Sequence, residues 1–124
     1  MAATLHTEAG SEPGCTIATA ETALHGLNGI DRTLMTLELD TGPTLTIGGG
    51  PRAFVVEVSV NETERWTVVD QARGEGPIDL VVGGQKVGYP ARFCISREKA
   101  LEATRVFMNE QGSRSAGLHW SVES

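Results

Sequence analysis

Alternating apolar and polar residues predict a run of β-strands through most of the chain. Six segments show this alternation or a short apolar run bounded by turn residues, which is typical of half-buried strands. The segments are residues 33–39, 44–47, 54–60, 65–70, 78–82 and 91–95. Short turns such as Asp-Thr-Gly-Pro join them, so we expect a mainly antiparallel meander sheet of about six strands.

Two further segments have the spacing of amphipathic helices. An apolar stripe at intervals of three and four residues predicts a short helix over residues 18–28, ended by Gly29. A longer helix is predicted over residues 97–111, between an N-cap at Ser96 and a C-cap at Gly112. Two helices beside antiparallel strands predict an α+β fold with both helices packed on one side of the sheet.

The length of the chain, 124 residues, suits one domain. We assign that domain to residues 16–124, because residues 1–15 form a polar lead-in without periodicity, a pattern that favours disorder. No apolar run approaches the roughly 18 residues of a membrane helix, and the first residues lack the pattern of a secretory signal. We therefore expect a cytoplasmic protein without membrane contact.

The net charge of −6 is unevenly spread along the chain. Residues 54–79, the acidic segment, carry six acidic residues against two basic ones. Nucleic-acid affinity depends largely on cations that displace phosphate counterions, so direct binding of nucleic acid is disfavoured. An acidic surface instead suits a basic protein partner.

Three consecutive glycines, Gly48 to Gly50, raise the question of a phosphate-binding loop. Such loops need a lysine and a following helix, or a glycine pattern between strand and helix, whereas here Pro51 and another strand follow. We interpret these glycines as a turn or bulge where the backbone approaches a neighbour closely.

The residues that usually carry catalysis show no catalytic or metal-binding pattern. The three histidines lack the spacing of metal ligands, and Cys94, expected in a strand, is more typical of a small core residue than of a nucleophile. Glu62 and Glu64 lie in a polar turn, which lacks the burial that paired catalytic carboxylates need. We expect neither enzymatic activity nor a cofactor or metal.

Three stretches together resemble the first-numbered immunity-protein family of bacterial polymorphic toxin systems. They are TLTIGGGP, LVVGGQKVGYPARFCI and SREKALEATRVFMNEQGSRSAGLHW, and the similarity spans residues 17–120. The resemblance implies an immunity protein that binds and inhibits a cognate secreted toxin, often a nucleic-acid deaminase, in the producing cell. A chain rich in Ala, Gly, Thr and Val is also typical of an actinobacterial host.

The charge pattern indicates where such a toxin would bind. A deaminase acting on single strands needs a basic groove, which an acidic surface can cover. The expected contacts are Trp66, as an aromatic anchor, and the acidic residues Glu57, Glu62, Glu64, Asp70, Glu75 and Asp79. The alternatives are that these acidic residues serve solubility and that Trp66, alternating with Val68, belongs to a sheet face.

The segment Gly83 to Pro90 is a second candidate for toxin contact. It places Lys86 and Tyr89 in a predicted loop on the sheet, and binding residues are frequent in such loops. The alternative is a plain turn in which Tyr89 packs across Pro90.

Three other functions stay open. The first alternative is a small ligand-binding or enzyme domain, which would need convergent polar groups in an apolar pocket. The second is a module that self-associates through a strand edge. The third keeps the inhibitor function but replaces the deaminase toxin by a nuclease.

Overall fold

The computed structural model describes residues 3–123, which form a seven-stranded sheet, a separate two-stranded hairpin and two helices. The helices are α1 (Ile17–His25) and α2 (Arg97–Asn109). The strands are β1 (Ala3–Thr7), β2 (Gly10–Glu12), β3 (Leu34–Leu39), β4 (Thr44–Gly49), β5 (Phe54–Ser59), β6 (Arg65–Val69), β7 (Pro77–Val82), β8 (Gln85–Pro90) and β9 (His119–Glu123). The large sheet has the strand order β2-β1-β3-β4-β5-β6-β9, and β7 pairs with β8.

The predicted meander is present as the four consecutive neighbours β3 to β6, all antiparallel. Their alternating apolar residues lie on one face of the sheet, where Met35 is opposite Ile47 and Leu37 is opposite Leu45. These four side chains are fully buried. The α+β prediction is therefore confirmed, although the sheet has one more strand than expected and the hairpin stands apart from it.

Both helices pack on the apolar face of the sheet and against each other. The Ser96 hydroxyl accepts the Lys99 N–H and caps α2 as predicted. Each helix is shorter than expected: α1 ends at His25 because Gly26 already closes the last turn, and α2 ends at Asn109. The backbone of Gly112 has a positive φ, and its N–H donates a hydrogen bond to the carbonyl of Phe107.

The prediction of a disordered lead-in over residues 1–15 is wrong for its described part. Residues 3–7 form β1 between β2 and β3, and Ala3 and Leu5 point into the core. Only these two apolar residues mark the strand, too few to produce a clear alternation in the sequence. Met1 and Ala2 lie outside the described residues.

The predicted strand at residues 91–95 is also wrong. Ala91–Phe93 form a single 3-10 turn, and the only strand-like pairing of the segment within the described chain is one bridge between Ile95 and Phe54. The turn forms because the N–H groups of Ala91 and Arg92 bond to the loop carbonyls of Gly76 and Gly74. Cys94 is nevertheless buried, as expected of a core residue.

The glycines of β4 allow the β7–β8 hairpin to pack directly on the sheet. A Cβ on Gly48 would lie 2.5 Å from Cγ1 of Val82, so only glycine fits there without a shift. Since Gly48 alternates with the core residue Ile47, the hairpin lies on the face opposite the helices. The interpretation of Gly48 to Gly50 as a site of close backbone approach is confirmed.

Thr33, buried just before β3, holds the tip of this hairpin. Its hydroxyl accepts the Gly84 N–H at 2.9 Å and donates to the Glu8 carboxylate at 2.8 Å, while its own N–H donates to the same carboxylate at 2.7 Å. Burial opposes ionisation of Glu8, but these bonds outweigh it and hold the pKa of Glu8 below its usual value. Three distant segments of the chain therefore meet at the Thr33 hydroxyl. None of the helices described is long and apolar enough to cross a membrane.

Candidate functional site

Three loops meet at one end of the large sheet, which we call the turn end. They are the β3–β4 turn (residues 40–43), the β5–β6 turn (residues 60–64) and the first part of the loop from α2 to β9 (residues 110–118), which then runs back along the sheet to His119, opposite Val69. A Cβ on Gly112 would lie 3.1 Å from the Pro43 ring, so the helix end packs directly against the first of these turns. Antiparallel pairing places the first two turns side by side.

Two concavities lie at the turn end, on either side of Val60. The larger, of about 590 Å³, is lined by the loop after α2 together with Pro43, Val60 and Trp120. The smaller, of about 400 Å³, lies between the two turns and is lined by residues including Thr41 and Glu62. The surface of the turn end is therefore concave on both sides of Val60.

Both tryptophans of the chain belong to this region, and both are held in place. Trp66 donates its indole N–H to the Glu64 carboxylate at 2.6 Å, and the Arg114 guanidinium carbon lies 3.9 Å from the centre of its ring. Trp120 donates its indole N–H to the Ser115 carbonyl at 2.9 Å. Fixed aromatic and arginine side chains lose little freedom on binding, which is typical of interface anchors.

The turn end is acidic, and the opposite end of the sheet is not. Its three loops carry four carboxylates, those of Asp40, Glu62, Glu64 and Glu110, against one cation, Arg114. The C-terminus of α2 adds partial negative charge there. At the opposite end, the loops and the first turn of α2 hold five acidic residues against six cations, which are Arg32, Arg52, Arg73, Arg92, Arg97 and Lys99.

Three of these carboxylates are free to meet a partner. Asp40, Glu62 and Glu110 are exposed, and within residues 3–123 none of them forms an ion pair. Because no cation within residues 3–123 forms an ion pair with them, their charge acts on whatever approaches the turn end.

The structure brings together only Glu62, Glu64 and Trp66 among the contacts expected from the sequence. Asp70 lies at the opposite end, where burial opposes its ionisation but Lys99 at 3.3 Å and the Ala72 N–H hold its pKa below the usual value. Its carboxylate is already paired inside the molecule.

The other expected acidic contacts are also dispersed. Glu75 pairs with Arg92, and Asp79 lies 3.6 Å from Lys86 on the hairpin. Glu57 is on the face of β5 opposite the helices, because it alternates with buried Val56 and Val58. A toxin-binding role for these residues stays a prediction, and they share no surface with the turn end.

Tyr89 is not in an exposed loop, as the sequence predicted, but in β8. It is half-buried opposite Ile78, and burial, with smaller effects of Cys94 and Glu57, raises the pKa of its hydroxyl. Residues 83–90 form a hairpin arm because Gly83 and Gly84 make the turn between β7 and β8. Lys86 remains exposed on that arm.

Sequence reasoning missed Asp40, Glu110, Arg114 and Trp120 as members of the turn end. Asp40 and Glu110 lie outside the acidic segment, so a count of charge along the chain did not group them with Glu62. The signal for Trp120 was its place beside Val122 in a short alternating run, now seen as β9.

The remaining reactive side chains do not form a site. Cys94 is buried, and burial raises the pKa of its thiol, which disfavours the reactive thiolate. Across residues 3–123, no group of three or more His, Cys, Asp or Glu side chains is arranged to hold a metal ion.

Comparison with known proteins identifies the family. The family model described as immunity protein Imm1 matches residues 6–122, nearly the whole chain. No curated protein matches the chain. The match confirms the resemblance seen in the glycine-turn, strand and C-terminal helix motifs, and the chain therefore belongs to the Imm1 family of immunity proteins.

Proposed function

We propose that this immunity protein inhibits a secreted nucleic-acid deaminase by covering the toxin's substrate groove with the turn end. The observation that carries the proposal is the group of unpaired carboxylates, Asp40, Glu62 and Glu110, beside a large concavity with two fixed tryptophans. Inhibition of this kind needs no catalysis by the immunity protein and no cofactor. The complex forms in the cytoplasm of the producing cell, before the toxin is secreted.

The physical basis is competition for the same groove. A protein that binds single strands lines its groove with cations and aromatic residues, and an acidic surface is attracted to those cations at long range. Charge complementarity mainly raises the association rate and selects the partner, whereas desolvated aromatic contacts slow dissociation. The turn end offers both kinds of group.

The first experiment is co-purification with the protein encoded immediately upstream, followed by assays of that partner on nucleic acid. A stable complex with suppressed deamination of single-stranded DNA supports the proposal. Suppressed strand cleavage without deamination would instead identify a nuclease toxin, which the same acidic surface suits. If no complex forms, the proposal is wrong.

Charge reversal then tests the contact surface. Glu62→Lys should slow association by about tenfold and weaken its dependence on salt, because an unpaired carboxylate becomes a cation facing cations. The matched control is Glu12→Lys, also exposed but on the far edge strand β2, about 24 Å away at 4.8 Å per strand. Equal association rates for the two variants would refute the turn end as the contact.

A further inference from the structure

The strand β9 is an edge of the large sheet, and apart from the charged Glu123 at its end it carries few of the usual protections of an edge. It pairs with β6 in a regular register over five residues, from Val69 opposite His119 to Arg65 opposite Glu123. Natural proteins protect exposed edges with lysine, proline, a bulge or a very short strand. The sequence of β9, HWSVE, has no lysine or proline, and its regular register leaves no bulge.

The opposite edge of the same sheet is protected. The strand β2 has only three residues, all exposed, one of them the charged Glu12. A short polar edge of this kind gives an added strand few backbone bonds and little apolar contact. The two edges therefore differ, and only β9 is suited to pair with another strand.

The side chains around β9 form an apolar strip beside the open edge. Val122 is 50% exposed, which makes it one of the two large apolar side chains most exposed among residues 3–123. It lies opposite Trp66, on the same face of the sheet as Trp120. Trp120 in turn lines the concavity of about 590 Å³ at the turn end.

The charges near β9 indicate what kind of strand would fit. The last residue of β9 lies opposite Arg65, next in sequence to Glu64, so the edge runs into the acidic turn end. Trp66, which lies opposite Val122, donates its indole N–H to Glu64, so the Glu64 carboxylate lies close to this end of β9. A segment with basic residues at that end is complementary.

We propose that an extended basic segment of the cognate toxin adds to β9 as an eighth strand of the sheet. Main-chain hydrogen bonds to β9 provide affinity, and alternate side chains of the toxin segment pack on Trp120 and Val122. This inference rests on the proposed function, since it names how the toxin engages the turn end. The alternative is that a second copy of the chain pairs with the edge of β9.

Hydrogen exchange of the backbone amides tests strand addition directly. The probe is the protein encoded immediately upstream, measured in complex with the full immunity chain. The outward-facing amides of residues 119–122 should exchange at least tenfold more slowly in the complex, while those of residues 11–12 on the other edge stay unchanged. A complex that leaves β9 exchange unaltered overturns strand addition but not the proposed function, whereas failure to form a complex overturns both.

Two additional results distinguish a toxin segment on β9 from a second copy of the chain. Slower exchange at β9 in the chain alone, rising with concentration together with a doubled mass, would show that the edge pairs with a second copy and would overturn the proposal. Val122→Lys should weaken the complex at least tenfold by placing a cation beside the basic strand, whereas Val122→Thr keeps a β-branched side chain and should change affinity less than threefold. Equal affinities for the two variants would also count against strand addition.

Discussion

Replacing Gly48 by alanine tests whether the β7–β8 hairpin packs directly on β4. The added Cβ would lie 2.5 Å from Cγ1 and 3.0 Å from Cγ2 of Val82, whereas carbon atoms attract at about 3.5–4.0 Å. Overpacking of this kind costs about 1–3 kcal/mol. The backbone at Gly48 is outside the left-handed region, so alanine also gains about 0.5–1 kcal/mol by restricting the unfolded chain.

The balance predicts a net loss of about 0–2.5 kcal/mol, or a melting temperature lower by up to about 10 °C for a domain of this size. Thermal unfolding followed by circular dichroism measures it. The matched control is Gly76→Ala, where nothing lies within 4 Å of the new Cβ, so its melting temperature should not fall. In the double variant with Val82→Ala the two Cγ atoms are gone and the nearest remaining contact is the Cβ of residue 82, at 3.2 Å, so the two changes should be non-additive by about 1 kcal/mol or more. A higher melting temperature for Gly48→Ala, or strict additivity, would refute this packing.

Three other outcomes follow from the buried parts of the fold. Phe107 is fully buried between α2 and the sheet, so Phe107→Ala should lower the free energy of unfolding by about 3–5 kcal/mol in urea denaturation; wild-type stability would contradict the helix placement. Thr33→Val leaves the Gly84 N–H and Glu8 without their hydroxyl partner and should cost about 1–2 kcal/mol at pH 7. The pKa of Glu8 is lower in the folded protein than in the unfolded chain. The ionised Glu8 carboxylate therefore contributes fully to stability at pH values above its unfolded pKa of about 4.3, and this contribution is lost as the pH falls through its folded pKa. Acid titration of stability should therefore be shallower in Thr33→Val, and parallel curves would exclude the role of Glu8. The Cys94 thiol should resist iodoacetamide until the protein unfolds, and rapid native labelling, read by mass spectrometry, would show that the site opens.

The sequence was sufficient for the parts of the fold that depend on local periodicity. Strands β3 and β5 alternate cleanly because one face of each is buried and the other is not. Helix α2 was found because Ser96 and the apolar stripe mark its start and its buried side. Both signals come from neighbouring residues, which a single sequence contains in full.

The elements that were missed depend on distant partners. Strands β1 and β9 are each only five residues long and are stabilised by pairing across the sheet, β9 with a strand 50 residues earlier in the chain. Residues 91–95 have strand-like composition, but loop carbonyls at Gly74 and Gly76 capture their N–H groups. Composition does not show which backbone groups a loop will supply.

For the candidate site, the sequence predicted only the sign of its charge. An excess of acidic residues in one segment indicated a basic partner, yet the sequence could not show that Asp70 and Glu75 are paired internally. Nor could it show that Asp40 and Glu110 join Glu62 at one end, because that requires the path of the sheet. Charged residues form one surface only where the fold brings them together, and their order in the sequence does not show this.

The opposite charges at the two ends of the sheet have a consequence for the first moments of binding. With four carboxylates in the loops of the turn end and an excess of cations at the other, the immunity protein carries a dipole along its strands. Under the proposed function, the field of a basic toxin would exert a torque on that dipole and turn the acidic end of the molecule toward the toxin before contact. Because productive association is limited by the need for correct orientation, this alignment raises the share of collisions that succeed.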